Sequence, residues 1–191
     1  MSAEPSRYDR IAIALHWLIA VGVLAQIGLG LWMIDIPKQP AGVRAYWFNL
    51  HKSIGLTLSP VIFFRLIWRL THRPPVLPEA LPRWQRMATL ANHRLLYACM
   101  FAMSLSGYLG SSFSGYPIKY FGVTLPGWGG KDDALKELFS VVHWWAAWVF
   151  VALIALHVAA ALRHLLKGDG IFARMWPAAP RRESGEFTAG R

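Results

Sequence analysis

The chain has little cysteine and little charge. Cys99 is the one cysteine among 191 residues, so an internal disulfide and a zinc or iron–sulfur site built from cysteines are both excluded. Cys99 lies in an apolar run, where we expect it to serve packing. Only 16% of the residues are charged and 55% are hydrophobic, which is more apolar than a soluble domain of this size.

Long apolar runs account for this composition. A helix needs about 20 apolar residues to cross a bilayer, and four segments are long enough: residues 11–34, 48–70, 91–112 and 138–166. We expect the first segment to be retained as a spanning helix, because it is too long for the apolar part of a signal peptide. Lysine and arginine flank these runs without forming a stripe with aromatic residues, so the formal charge of +10 does not indicate nucleic acid binding.

The apolar runs also predict the fold class. We expect an all-α membrane protein with one domain at 1–177, a bundle of four transmembrane helices, followed by a polar tail at 178–191. With both termini in the cytoplasm, most of the 20 basic residues lie on the inner side. The outer side then receives only Lys38, Arg44, Lys52, Lys119, Lys131 and Lys136. Because lysine and arginine favour the cytoplasmic side, this bias predicts cytoplasmic termini.

The fourth apolar run carries a histidine near each end. An ionisable side chain inside a span indicates a functional site by default. His143 and His157 are fourteen residues apart, which corresponds to about 21 Å along a helix and nearly four full turns. The two rings therefore share one helix face at two depths.

Each depth has a second histidine on another helix. His51 lies in the first turn of the second helix, on the outer side and level with His143. His16 lies near the inner start of the first helix, roughly level with His157. Two depth-matched pairs result, although four separately hydrogen-bonded histidines are the alternative.

Two imidazoles at each depth favour one class of cofactor. A zinc site would require three or four converging ligands. Two facing imidazoles suit a flat macrocycle bound from both sides, so the pattern predicts a b-type haem at each depth. No Cys-x-x-Cys-His motif is present, which excludes covalent c-type attachment.

Basic residues and glycines fit a haem at each depth. Arg65 falls at the inner level, where a haem propionate would pair with its charge; snorkelling to the inner headgroups is the alternative. Lys52, next to His51, could contact the outer haem in the same way. Five glycines could let a porphyrin lie against backbone, or serve ordinary helix packing instead: Gly22, Gly28, Gly30, Gly55 and Gly107.

A further histidine lies towards the cytoplasm. His164 follows His157 by seven residues on the same face. Together with Arg163 it could hydrogen-bond and protonate a quinone, or it could be an interfacial histidine. His93, at the border of the inner loop, is the spare ligand if one of the pairings is wrong.

Four stretches of the sequence resemble one known family. They are RYDRIAIALHW (7–17), HKSIG (51–55), YFGVTLP (120–126) and HWWAAWVFVALIALHVAAALRH (143–164). Together they are similar to the prokaryotic cytochrome b561 family, over about residues 6 to 177. The resemblance implies a four-helix bundle in the bacterial inner membrane that holds two b haems. It implies axial ligation of the haem irons by His16, His51, His143 and His157.

The resemblance leaves two redox functions open. One is a superoxide oxidase, which oxidises superoxide outside and reduces ubiquinone. Outer basic residues would attract superoxide, namely Arg44, Lys52, Lys119 and Lys131, although the charges of the outer loop at 113–137 nearly cancel. The other is a cytochrome b subunit that exchanges electrons between the quinone pool and a partner dehydrogenase or another redox protein. A membrane protein without haem is a third interpretation, which leaves the paired histidines unexplained.

Overall fold

Four long helices make up most of the fold. The computed structural model describes residues 7–40, 42–76 and 81–177, so the tail predicted at 178–191 lies outside the described residues. The helices are α1 (Arg10–Met33), α2 (Val43–Thr71), α3 (Arg83–Ser112) and α4 (Asp133–Lys167). The connection from α3 to α4 contains an antiparallel hairpin, β1 (Lys119–Tyr120) and β2 (Val123–Thr124), and a short 3₁₀-helix (Phe172–Arg174) follows α4.

The helix ends follow from local chemistry. The Asp9 carboxylate caps α1 by accepting the Ala12 N–H at 2.8 Å, and Asp132 caps α4 by accepting the Leu135 N–H at 2.9 Å. Gly168 ends α4 in the left-handed region, at φ 64°. Three helices begin before their predicted apolar runs at 48, 91 and 138. An apolar run marks only the part of a helix suited to lipid, whereas backbone hydrogen bonding continues into polar flanks.

The outer surface of the bundle is apolar. In the described part of the chain, α1, α2 and α4 are long and apolar enough to cross a membrane. The remaining long helix, α3, is as long as α2 but carries polar residues such as Asn92 and Arg94. Its composition therefore does not mark it as a membrane span. Leu18, Val21 and Leu24 on α1 are more than half exposed. An outward apolar face of this extent suits lipid, and the protein is a helical membrane protein.

The helices pack as two hairpins. α1 packs on α2 and α3 packs on α4, while a smaller contact between α2 and α3 joins the hairpins. The buried core takes one or two residues from each helix: Ile19, Leu58, Ile62, Cys99, Met100 and Phe150. Cys99 is thus a packing residue. Phe150 is seven residues from both His143 and His157, so this core occupies the layer between the two histidine depths.

Side-chain hydrogen bonds hold α1 against α2 at the end of the bundle where α1 begins. The indole N–H of Trp68 donates to both carboxylate oxygens of Asp9, at 3.1 and 3.2 Å. Partial burial raises the pKa of Asp9, but the hydrogen bonds from Ala12 and Trp68 outweigh it and the pKa lies below its ordinary value. Asp9 therefore remains a carboxylate near neutral pH, where it both caps α1 and binds α2.

The segment after α4 closes the same end. The guanidinium of Arg7 donates to the Trp176 carbonyl oxygen at 2.6 Å, and the Trp17 indole N–H donates to the Met175 carbonyl oxygen at 2.9 Å. The Trp17 and Trp176 rings also pack edge to face, with centres 5.5 Å apart. The chain beyond α4 is thus bound to α1.

At the opposite end the β-hairpin lies on α2. Ser53, only 1% exposed, accepts the Phe121 N–H at 2.9 Å and donates to the Asn49 carbonyl oxygen at 2.7 Å. The hydroxyls of Thr57 and Tyr120 are 3.2 Å apart. These bonds keep the hairpin beside the first turns of α2, next to His51.

Candidate functional site

Four histidines form two facing pairs. His16 on α1 faces His157 on α4, with ring centres 6.1 Å apart and ring planes at 66°. His51 on α2 faces His143 on α4, with ring centres 6.4 Å apart and ring planes at 79°. The structure therefore brings together the residues that the sequence paired by depth. Each pair spans from the α1–α2 hairpin to the α3–α4 hairpin, and α4 contributes to both.

The ring separations match two ligands on one metal ion. The rings of neither pair are hydrogen-bonded to each other. A metal–nitrogen bond of about 2 Å on each side places two coaxial imidazole centres roughly 6 Å apart. The observed 6.1 and 6.4 Å agree with this separation. Each pair thus has the ring separation that two histidines holding one metal ion between them would show.

The outer pair is enclosed by glycine and a hydroxyl. A Cβ at Gly107 on α3 would lie 3.1 Å from His143 Cε1, and a Cβ at Gly30 on α1 would lie 3.3 Å from His51 Cε1. Both distances are shorter than most Cβ contacts, so glycine lets the backbone come this close without displacing the imidazole. The Ser106 hydroxyl lies 3.1 Å from His143 Nδ1, and this contact sets the rotation of the ring.

The remaining predicted glycines have other surroundings. A Cβ at Gly22 would overlap Leu58 Cδ2 at 2.7 Å, so this glycine allows close packing of α1 on α2. Gly55 lies under the Gln26 amide, with its Cβ position 3.2 Å from Nε2. Gly28 is exposed and has no atom within 4 Å of its Cβ position. It lies two residues before Gly30, on the side of α1 turned away from His51, so it is not part of either histidine pair's surroundings. The predicted glycines thus contribute to both packing and imidazole contacts.

Two other side chains lie next to the inner pair. The Arg65 guanidinium donates to the Ala12 carbonyl oxygen at 2.9 Å and lies 3.4 Å from His16 Nδ1. His93 lies on the α3 side of His157, with ring centres 5.3 Å apart, and its Nδ1–H donates to the Thr89 carbonyl oxygen at 2.7 Å. Arg65 and His93 therefore both lie at the inner level. The His93–His157 spacing is shorter than that of either facing pair.

His164 has a partner that the sequence analysis missed. Its Nδ1 lies 2.6 Å from Asp169 Oδ2, and the two side chains are 16% and 33% exposed. The hydrogen bond from His164 lowers the pKa of Asp169, which keeps that carboxylate ionised near neutral pH. The sequence does contain a signal for this contact: Asp169 directly follows Gly168, the glycine that ends α4, and so lies within reach of the last turn of the helix.

Two predicted contacts receive less support from the geometry. Lys52 is half-buried next to His51 and makes no salt bridge within the described residues. Arg163 is exposed, and no hydrogen bond joins it to His164 or to another described residue. The structure does not bring Arg163 together with His164.

The number and type of possible metal ligands indicate which kind of metal site is possible. Within residues 7–40, 42–76 and 81–177, no three histidine, cysteine, aspartate or glutamate side chains converge as metal ligands. A metal held by either pair would need its other ligands from outside these side chains, and a macrocycle is a group that supplies them. The close glycines and the ring spacings fit a b-type haem.

The fold and these pairs define a class: a helical membrane protein with facing histidines suited to haem. Sequence comparison identifies the family. The family model of prokaryotic cytochrome b561 matches residues 7–178, so the chain belongs to this family of haem b electron-transfer proteins. The resemblance seen in the sequence is confirmed.

Two relatives from Escherichia coli (strain K12) cover nearly the whole chain. Cytochrome b561 homolog 2 is 37% identical over 178 residues, which are 90% of this chain and 92% of that protein. Cytochrome b561 homolog 1 is 27% identical over 178 residues, 90% of this chain and 98% of that one. The similarity is therefore not limited to the motif segments.

Gly107 offers a test of how closely α3 must approach His143. We expect Gly107→Ala to displace the imidazole and to weaken haem retention by about 1–3 kcal/mol, the usual cost of overpacking. Haem per protein after purification, measured by the pyridine haemochromogen method, reports the effect. Gly28→Ala is the matched control, because its Cβ meets no atom within 4 Å. Equal haem content in the two variants would contradict this reading of the contact.

Proposed function

We propose that the protein holds two b haems, one between His16 and His157 and one between His51 and His143. The observation that carries this proposal is the pair of ring separations, 6.1 and 6.4 Å, at two depths of one bundle. A haem b supplies one-electron transfer when it is bound. The chain's own residues must then bind it, orient the imidazoles and keep water from the layer between the two depths.

The pairings also support a four-span topology, which places both termini on the same side of the membrane. The distribution of lysine and arginine favours the cytoplasm as that side. His51 near the start of α2 faces His143 near the start of α4, so α2 and α4 run in the same direction. The chain must therefore cross back between them, and α3 is the helix that does so. Its 30 residues extend about 45 Å, enough for a bilayer despite its polar side chains.

Arg65 is suited to a haem propionate at the inner level. A guanidinium only donates hydrogen bonds, so its contact with His16 Nδ1 requires that nitrogen to be the acceptor. An imidazole that binds iron through Nε2 instead carries its proton on Nδ1. Haem binding at His16 therefore favours a different partner for Arg65, and a propionate supplies the anion that a buried guanidinium requires.

As the reaction we propose oxidation of superoxide on the outer side and reduction of ubiquinone on the inner side. Two superoxide anions each lose one electron and become dioxygen. One ubiquinone takes both electrons together with two protons and becomes ubiquinol. The localisation that follows is the bacterial inner membrane, with the outer pair facing the periplasm.

Some of the basic residues on the outer side already bind other groups of the protein, which weakens their attraction for an anion. Arg44 donates to the carbonyl oxygens of Ile34 and Ile36, at 3.2 and 2.6 Å, so it holds the connection between α1 and α2. Lys131 pairs with Asp133 at 3.1 Å. Lys52 is the best-placed group to attract superoxide, because it adjoins His51 and makes no salt bridge in the described part of the chain.

The inner end offers a group that can hold a proton for the quinone. Asp169 accepts from His164 Nδ1, which leaves Nε2 as the nitrogen that can carry and donate a proton. The Ile171 N–H binds the other carboxylate oxygen at 3.2 Å and orients the carboxylate. We assign His164 as the proton donor and Asp169 as the residue that positions it.

A second function is favoured by one surface. Tyr116, Phe121 and Trp128, all in the connection between α3 and α4, are more than half exposed. Exposed aromatic residues of this kind are enriched where proteins dock. A cytochrome b subunit would use such a surface to receive electrons from a partner redox protein.

Stopped-flow mixing with superoxide separates the two functions. We expect superoxide to reduce the haem much faster than it dismutates, and ubiquinone to reoxidise it. Lys52→Gln should slow the first phase and weaken its dependence on ionic strength, because the attraction is electrostatic. Lys136→Gln is the matched control, since Lys136 already pairs with Glu137. Haem reduction no faster than in a control of the same protein without superoxide would favour the subunit function.

Single histidine replacements test the two-haem assignment. His143→Ala should remove one haem of two and leave the other with an unchanged spectrum, and His157→Ala should remove the other. The physical reason is that each pair has its own depth and its own two ligands. Reduced-minus-oxidised spectra and haem-to-protein ratios provide the measurement. If both variants lost the same spectral component, the pairing by depth would be wrong.

The proton donor is tested by the quinone half-reaction alone. We expect His164→Gln and Asp169→Asn each to slow haem reoxidation by ubiquinone about 100-fold, as loss of a general acid does. Haem reduction by superoxide should stay unchanged, because it occurs at the other end. Arg163→Gln should have a much smaller effect, since that exposed side chain does not contact His164. Normal reoxidation in His164→Gln would exclude the assigned role.

A further inference from the structure

Gln26 is a polar residue within the apolar α1. Its Nε2 donates to the backbone carbonyl oxygen of His51 at 2.8 Å. Its Oε1 is buried and has no hydrogen-bond partner among the described residues. An acceptor left unpaired at membrane depth costs free energy, because no solvent is there to satisfy it.

His51 has an unpaired atom of its own. Its Nδ1 is buried and has no hydrogen-bond partner among the described residues. This nitrogen lies 3.8 Å from the Cβ position of Gly30. Gly30 is four residues after Gln26, so both residues lie on the α1 face that meets His51. The two unpaired atoms therefore belong to residues that are already joined by the hydrogen bond from Gln26 Nε2 to the His51 carbonyl oxygen.

The two atoms are chemically complementary. An imidazole that binds iron through Nε2 carries its remaining proton on Nδ1 and needs an acceptor there. The Gln26 Oε1 is an acceptor without a donor. Within the same pair, His143 Nδ1 already has the Ser106 hydroxyl at 3.1 Å.

We propose that Gln26 is the positioning residue of the outer haem ligand: its Oε1 accepts the Nδ1–H of His51, directly or through one water, while its Nε2 holds the His51 carbonyl. This inference rests on the proposed haem ligation by His51. It assigns Gln26 a role that neither the motifs nor the charge pattern indicated.

Gly55 makes this arrangement sterically possible. The Gln26 amide crosses α2 directly over Gly55, whose Cβ position is 3.2 Å from Nε2. A larger residue at 55 would displace the amide from the His51 carbonyl oxygen. The HKSIG motif therefore contains both the ligand and the small residue that lets α1 reach it.

The hydrogen bond has an electronic consequence. An acceptor on Nδ1–H makes the imidazole a stronger electron donor to iron, which stabilises the ferric over the ferrous form. Gln26 should therefore lower the midpoint potential of the outer haem and leave the inner haem unaffected. A purely structural role would not predict an effect of defined sign.

Redox potentiometry of the purified full-length protein tests the proposal. We expect Gln26→Leu, which keeps the volume but removes both hydrogen bonds, to favour reduction of the outer haem about tenfold, an upward shift of about 59 mV. Gln26→Glu, which keeps an oxygen acceptor, should shift the potential downward. The spectrum of His157→Ala identifies the outer component, and the ferric low-spin EPR signal provides a second readout.

Gly28→Ala is the control on the same helix, because its Cβ meets no atom within 4 Å, and both of its potentials should equal those of the parent. An unchanged outer potential in Gln26→Leu, an upward shift in both Gln26 variants, or loss of both haems would overturn the proposal. A parent protein with fewer than two haems would instead contradict the proposed function, so the two failures are distinguishable.

Discussion

An imidazole inside an apolar helix requires a polar partner or a cofactor, and the arrangement of the four helices depends on how the histidines are paired. Within lipid a polar side chain has no water to bind, so it must face another polar group or a cofactor. Here α4 presents His143 and His157 on one face, and α2 and α1 each present one ring towards it. The two hairpins of the bundle therefore face each other across these four rings. Haem, as proposed, would satisfy all four imidazoles at once.

The layer between the two histidine pairs is apolar. Phe150, 5% exposed, packs there with Ile19, Ile62 and other apolar residues. Polar contacts lie above and below this layer: Ser106 and Gln26 near the outer pair, Arg65 near the inner one. This separation keeps hydrogen-bonding groups next to the rings they orient. The apolar side chains of this layer also leave no place for water between the two histidine pairs, which lie about 21 Å apart along α4.

The sequence predicted the four helices and the two histidine pairs because both depend on short-range rules. Helix rise and periodicity place His157 fourteen residues below His143 on the same face whatever surrounds them. Helix geometry alone could not predict which side chains contact each imidazole. Asp169 reaches His164 only because the chain turns at Gly168, and His93 comes close to His157 only through the rotation of α3. Arg163 is exposed and does not meet His164, because neighbouring residues of one helix do not face each other.

The sequence by itself determined which segments are apolar, which residues lie at which depth, and which family the chain belongs to. The apolar segments and the depths follow from composition and from the fixed geometry of a single helix, whereas the family follows from the similarity of the sequence to the family model. Only the tertiary structure decided the surroundings of these histidines. Gly107 and Ser106 lie against the His143 ring, Gly30 lies against the His51 ring, and Arg65 lies against the His16 ring, while Gln26 binds the His51 carbonyl oxygen. The rotation of one helix against another depends on the packing of all side chains between them, and no single helix specifies it.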